Sequence, residues 1–124
     1  MTYKQLSYQT TNRIATITLN QPESLNSFTT QMLTELRDVF SRAEIDSDVG
    51  VIVLTGSGRG FCAGQNLKER EQSTNLSKYD LGESLRERYV PIVKAIRSST
   101  KPVIGAINGI AAGAGANVAL ACDI

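Results

Sequence analysis

Histidine is absent from this chain of 124 residues. Without an imidazole there is no Ser-His-Asp or Cys-His machinery and no histidine-ligated metal. Catalysis by these residues therefore has to rest on backbone donors, on carboxylates, or on groups outside the chain. Cysteine is nearly absent as well. Cys62 and Cys122 have neither the spacing of a metal site nor the density of a disulfide framework. They read as reduced thiols of a cytoplasmic protein, and no metal site is expected. Cys62, next to Phe61 and with no histidine to lower its pKa, reads as structural and not as a nucleophile. An excess of charge of either sign is also missing. Lys plus Arg number 13 and Asp plus Glu 12, a net charge of +1, which gives no electrostatic reason to expect nucleic acid or an anionic membrane. The opening Met1-Thr2-Tyr3-Lys4 lacks the apolar core of a signal peptide. The run Val103 to Cys122 is long enough to raise a membrane span. It is rich in Gly and Ala, however, and contains Asn108 and Asn117, so it reads as tight packing inside a protein.

What is present fits a soluble globular domain: 41% of residues are hydrophobic and 20% charged, in one domain's length or less. Tyr3 to Gln9 and Arg13 to Asn20 read as a strand pair joined at Thr10-Thr11-Asn12, with Ala15, Ile17 and Leu19 on one face. Pro22 stops the second strand. A helix capped near Thr29 follows, because Met32, Leu33, Leu36, Val39, Phe40 and Ala43 fall at helical spacing. It ends by Asp46-Ser47-Asp48. Gly50 to Leu54 reads as a short strand, apolar on both faces in the manner of parallel strands. Glu69 to Lys78 reads as a polar loop. Leu81, Leu85, Tyr89, Ile92, Val93 and Ile96 mark a second amphipathic helix, kinked by Pro91. Val103 to Ile107 is a further strand, with a helix from about Gly113. Strands alternating with helices predict an α/β fold.

Two stretches stand apart from this pattern. In one, Gly60-Phe61-Cys62-Ala63-Gly64-Gln65-Asn66-Leu67 follows a strand and a glycine-rich turn. In the other, Lys101-Pro102 opens a strand that runs through Asn108-Gly109 into Gly113-Ala114-Gly115 and a helix. Glycines there let the main chain approach something closely. Two strand-to-turn-to-helix units could aim two backbone N–H groups at one oxygen, which is the arrangement of an oxyanion hole. The glycines at 109, 113 and 115 do not have the G-x-G-x-x-G spacing of a dinucleotide turn.

These blocks, with Leu19-Asn20-Gln21-Pro22-Glu23-Ser24-Leu25-Asn26-Ser27 as a third, resemble the enoyl-CoA hydratase/isomerase (crotonase) superfamily. Gly58 to Gln65 and Ala111 to Asn117 resemble its ring-epoxide isomerases of phenylacetyl-CoA breakdown. The resemblance implies a crotonase-like spiral of ββα units, with residues 1–124 as the N-terminal portion of the core. The rest of that core and a helical trimerisation segment would lie beyond Ile124. It implies Gln65 and Ala114 as backbone oxyanion donors for an acyl-CoA thioester. Ser24, Leu25, Asn26, Ala63, Gln65, Asn66, Leu67 and Ala114 would contact the substrate, with Lys68 and Arg70 read as solvated. Coenzyme A would enter as part of the substrate with no separate cofactor, in a homotrimer or dimer of trimers.

The sequence also departs from the family. Hydratases of the superfamily carry a glutamate where Asn117 stands, and an amide is neither acid nor base at neutral pH. Many members carry Asp where Asn66 stands, and Ala114 interrupts a glycine triplet while keeping its N–H. An isomerase using a single base beyond Ile124 is the favoured reading. An enoyl-CoA hydratase and a non-catalytic CoA-ester-binding or assembly protein remain its rivals. Tyr89 reads as core on a helix that can wall an acyl pocket, and Asp123 as a structural hydrogen-bonding residue.

Overall fold

In the computed structural model, which describes residues 2–71 and 88–124, an antiparallel hairpin pairs β1 (Leu6–Thr11) with β2 (Ile14–Leu19). The connection is shorter than the predicted Thr10-Thr11-Asn12. Thr11 pairs directly with Ile14, and Asn12 and Arg13 both take positive φ, 53° and 67°. Two such residues in succession match the twist of a two-residue hairpin. The rest of β2 is as its alternation predicts, with Ala15, Ile17 and Leu19 fully buried.

β2 runs parallel to β3 (Val51–Gly56), and β3 parallel to β5 (Val103–Ala106), giving the order β1-β2-β3-β5. Two shorter strands, β4 (Gly60–Cys62) and β6 (Ile110–Ala111), pair in parallel as a second sheet. Strands of three and two residues are too short for periodicity to reveal. β3 is less enclosed than its composition predicts. Ile52 and Leu54 are buried, whereas Val51 and Val53 on the other face are half-buried.

Helix α1 (Thr30–Ile45) lays Met32, Leu36, Val39 and Phe40 over the buried face of the large sheet. Burying a side chain of this size contributes about 1.5–3 kcal/mol. Glu35 is buried on the same helix, a polar residue that the spacing of apolar positions does not flag. Its Oε1 accepts the N–H groups of Lys4 (2.8 Å) and Gln5 (2.9 Å), which compensates a carboxylate removed from water. Both ends of α1 are held. Thr29 caps the first turn, accepting from Met32 N at 3.0 Å as predicted. Glu69, on the short α2 (Leu67–Glu71), accepts from Thr30 N at 2.9 Å. At the other end Lys101 donates to the carbonyls of Ala43 (2.7 Å) and Asp46 (2.6 Å), a cation on the negative end of the helix dipole.

Helix α3 (Val90–Ser98) buries Ile92 and Ile96 against α1, and α4 (Ala114–Ala121) packs on α3. Pro91 lies in the first α-helical turn of α3, directly after a π-helical turn at Arg88 and Tyr89, and the predicted helix before residue 88 lies outside the described residues. The predicted positions Leu81 and Leu85, and most of the predicted 69–78 loop, lie outside the described residues. Asp123 accepts from Val103 N at 2.8 Å and its own N–H donates to Val103 O, the structural role read for it.

The segment after α3 is tied to α1 by Glu44, which accepts from Ser99 Oγ (2.8 Å) and Thr100 N (2.9 Å). The Thr100 hydroxyl and N–H, joined by Ser99 and Lys101, hold the Glu44 carboxyl below its ordinary 4.5. A depressed folded-state pKa contributes stability that is complete above the unfolded value and lost as pH falls through the folded one. The unfolding midpoint of the unaltered chain should therefore exceed that of Glu44→Gln at neutral pH, and the gap should close below pH 4.5. Urea titrations at pH 7 and pH 3.5 check this.

Candidate active site

The site is built on the turn between β3 and β4, which two asparagine side chains fasten from opposite directions. Asn26, fully buried, donates through Nδ2 to the carbonyls of Ser57 (3.0 Å) and Gly60 (2.9 Å). Its Oδ1 accepts from Gln21 N at 2.8 Å. Asn108 donates to the carbonyls of Gly58 and Gly60, both at 3.2 Å, and accepts from Gly56 N at 3.1 Å. The three sequence blocks thus meet at one carbonyl, that of Gly60. The Asn26 side chain is thus enclosed and committed to this turn. Ser24 and Leu25, on the 3-10 turn Pro22–Ser24 and its cap, are half-buried. The Ser24 hydroxyl donates to Gln21 O at 3.2 Å, and Leu25 O accepts from Ala63 N at 3.0 Å.

Beyond β4 the chain turns at Gly64, whose φ of 105° suits a residue without Cβ. A single parallel bridge then joins Phe28 to Gln65. It uses the neighbours of Gln65: Gly64 O accepts from Phe28 N (2.6 Å), and Asn66 N donates to Phe28 O (2.9 Å). In a parallel bridge of this form the N–H of the central residue, here Gln65, points away from the partner strand. Asn66 holds this geometry from below. Its Oδ1 accepts from Glu69 N at 3.0 Å, capping α2, and its Nδ2 donates to Ser27 Oγ at 2.9 Å. Asn and Asp cap equally well, which accounts for an amide at this position.

The second turn lies alongside. Ala112 N donates to Cys62 O at 3.0 Å, Gly113 takes φ 53°, and Ala114 opens α4. A Cβ on Gly115 would stand 2.3 Å from Cys62 O, so the first turn of α4 rests directly on the backbone of β4. Gly64 faces the same place, since a Cβ there would lie 3.0 Å from Ala112 O and 3.7 Å from Ala114 N. Ala63, Gly64, Gln65, Leu67, Tyr89, Gly113, Ala114 and Asn117 line a cleft of about 450 Å³. A second cavity of about 380 Å³ adjoins it between α3 and α4, lined by Val90, Val93, Lys94 and Val118 and sharing Tyr89, Ala114 and Asn117. Of the expected site residues, Ala63, Gln65, Leu67 and Ala114 are brought together here. Asn66 supports the cleft, while Ser24, Leu25 and Asn26 stand apart from it.

No carboxylate lines the cleft among the described residues. Burial pushes the Cys62 thiol up to about 11, outweighing a hydrogen bond from the Gly64 backbone, so it stays protonated at neutral pH. Burial, with Asp123 nearby, raises Cys122 as well, and both cysteines are free. Among the described residues no cluster of three or more His, Cys, Asp or Glu could hold a metal, and no helix is long and apolar enough to cross a membrane. Asn108 is the turn-holding residue of the site whose role sequence reading passed over. Its Asn-Gly step signals a turn, but its partners lie about fifty residues away.

Residues 9–124 match the enoyl-CoA hydratase/isomerase family. The chain is 46% identical over 111 residues to a 1,2-epoxyphenylacetyl-CoA isomerase of Escherichia coli K12, covering 90% of this chain and 42% of that one. It is 43% identical over 125 aligned positions to a probable enoyl-CoA hydratase of Rhodobacter capsulatus, covering 100% and 46%. An enoyl-CoA hydratase/isomerase structure from Xanthobacter autotrophicus Py2 superposes with a TM-score of 0.89 at 29% identity, over 99% of this chain and 45% of that one. An enoyl-CoA hydratase structure from Bacillus anthracis gives 0.84 at 32% identity, over 98% and 46%. The chain belongs to the enoyl-CoA hydratase/isomerase family and has the α/β crotonase fold. It spans a little under half the length of these relatives.

Asn26→Ala should lower stability by about 1–3 kcal/mol, the cost of stranding buried polar groups. Because Asn26 and Asn108 share the Gly60 carbonyl, a double-mutant cycle in urea should give a coupling of about 0.5 kcal/mol or more. Gly115→Ala should cost about 1–3 kcal/mol, because its Cβ meets main chain that has no side-chain freedom to yield. A denaturation midpoint equal to that of the unaltered chain would show that α4 does not rest on β4.

Proposed function

We propose that this chain supplies the oxyanion-binding half of an acyl-CoA isomerase, with the N–H groups of Gln65 and Ala114 polarising a thioester carbonyl. The observation that carries this reading is their shared cleft. Gln65 turns its N–H away from Phe28, and Ala114 heads a helix whose first N–H groups lack intrahelical acceptors. The positive end of the α4 dipole favours negative charge at the same place. Charge gathered on the thioester oxygen acidifies the adjacent C–H. The proton leaves to a base, the electron pair is held as an enolate, and the proton returns at another carbon with no change in mass. Losing one such donor typically costs about 2.7–4 kcal/mol in the barrier.

Asn117 favours isomerisation over hydration. It lines the cleft where hydratases of the superfamily carry a glutamate, and it cannot exchange a proton with water at neutral pH. The base is not among the described cleft-lining residues. The 46% identity to an enzyme named 1,2-epoxyphenylacetyl-CoA isomerase supports a ring-epoxide or unsaturated phenylacetyl-CoA-type substrate. Coenzyme A enters as part of that substrate, its pantetheine arm along Ala63, Gln65 and Leu67. A cytoplasmic trimer is the assembly that the resemblance implies. Hydration is the second reading, favoured by the relatives named as probable enoyl-CoA hydratases.

The test is mass spectrometry of the CoA esters after incubation of the full-length protein with conjugated and non-conjugated enoyl-CoA and with the ring-epoxide ester. An unchanged mass with a moved double bond or an opened epoxide is expected. A gain of one water on the conjugated ester would favour hydration. Gln65→Pro, which removes the N–H, should abolish turnover, and retained activity would overturn the oxyanion assignment.

A further inference from the structure

Asn117 lies where the two cavities join, three residues after Ala114 and so on the same face of α4. Its backbone N–H is committed to Gly113 O at 3.2 Å, whereas its side chain is exposed toward the cleft. Of the three residues common to both cavities, Ala114 brings a methyl group. Tyr89 brings a ring stacked edge-on against Phe28, with centroids 5.9 Å apart. Asn117 brings an amide, with a donor and an acceptor together. The adjoining cavity is otherwise lined by Val90, Val93 and Val118, with the exposed Lys94.

We infer that Asn117 is a specificity-determining residue that hydrogen-bonds an oxygen carried on the acyl group, so that the site selects oxygenated acyl-CoA esters over oxygen-free ones. This rests on the acyl-CoA reading above and deepens it. An epoxide, hydroxyl or carbonyl oxygen entering a valine-lined cavity loses water, and the Asn117 amide is the group placed to replace it. An oxygen-free acyl group instead covers that amide and leaves it unpaired, a penalty that discriminates more strongly than an added methylene does. An amide does not titrate, so the selection is independent of pH across the neutral range, which separates it from an acid–base role.

The experiment is calorimetric titration of the full-length protein with phenylacetyl-CoA and with (2-hydroxyphenyl)acetyl-CoA, which differ by one oxygen. Mass-spectrometric turnover of an enoyl-CoA is run alongside. The unaltered protein should bind the hydroxylated ester about tenfold more tightly, at pH 6.5 and pH 8 alike. Asn117→Leu should bring the ratio close to one, and Asn117→Gln should restore part of it. A ratio that is the same in Asn117→Leu as in the unaltered protein overturns the inference, as does a ratio of one in both. An Asn117-dependent preference without turnover of any ester leaves this inference standing and overturns the isomerase reading. Failure to bind either ester overturns both.

Discussion

The carbonyl oxygen of Gly60 is the point on which the site depends. It accepts from Asn26 and from Asn108, side chains that stand more than eighty residues apart in sequence. Each asparagine also holds a second carbonyl of the same turn, Ser57 for one and Gly58 for the other. A turn this rich in glycine would otherwise sample many conformations, at about 1–2 kcal/mol of backbone entropy per residue fixed. Amide side chains can do this because they carry donors and an acceptor and remain neutral when buried. The Asn26 side chain makes three hydrogen bonds inside the protein and carries no charge, so its enclosure is compensated.

Once that turn is fixed, the remaining geometry follows from close backbone contact. β4 leads to Gly64, and the bridge to Phe28 sets the direction of the Gln65 amide. On the other side Asn108 leads directly into β6, and Gly115 lets α4 settle on Cys62. The frame around these contacts is supplied by α1, whose N-terminus takes Glu69 from beside the cleft and whose C-terminus takes Lys101 from the segment entering β5. The two strand-turn-helix units are therefore braced against opposite ends of one helix. Loosening either end would alter the spacing of the two turns without touching a residue that lines the cleft.

Much of this was legible from residue order. The alternation in β2, the Thr29 cap and the apolar stripe of α1 specify local structure through short-range rules, and all three are present. The two glycine-rich turns were legible as places of close backbone approach, and Gly115 against Cys62 is such a place. What escaped is long-range. Nothing local marks Asn26 as a buried clip on the Gly60 turn, or Glu35 as a core carboxylate serving the N–H groups of Lys4 and Gln5. Pro91 was read inside a helix because the apolar spacing begins before it, and the chain is π-helical at Arg88 and Tyr89 before α3 starts at Val90.

The chemistry of the cleft turns on neutrality. Backbone N–H groups stabilise a developing oxyanion best where no fixed negative charge competes for them and little water screens them. Cys62 is the one thiol beside these turns. A thiolate there would set an anion directly beneath the first turn of α4, in competition with a substrate oxygen. Burial instead lifts its pKa to about 11 and keeps it uncharged. Asn117 has the same consequence from the other wall, since an amide adds hydrogen-bonding capacity to the cleft without adding charge. The field at the mouth of α4 is then set by the helix terminus itself. On the function proposed above, a proton-carrying carboxylate would act on a carbonyl already polarised by groups that do not titrate.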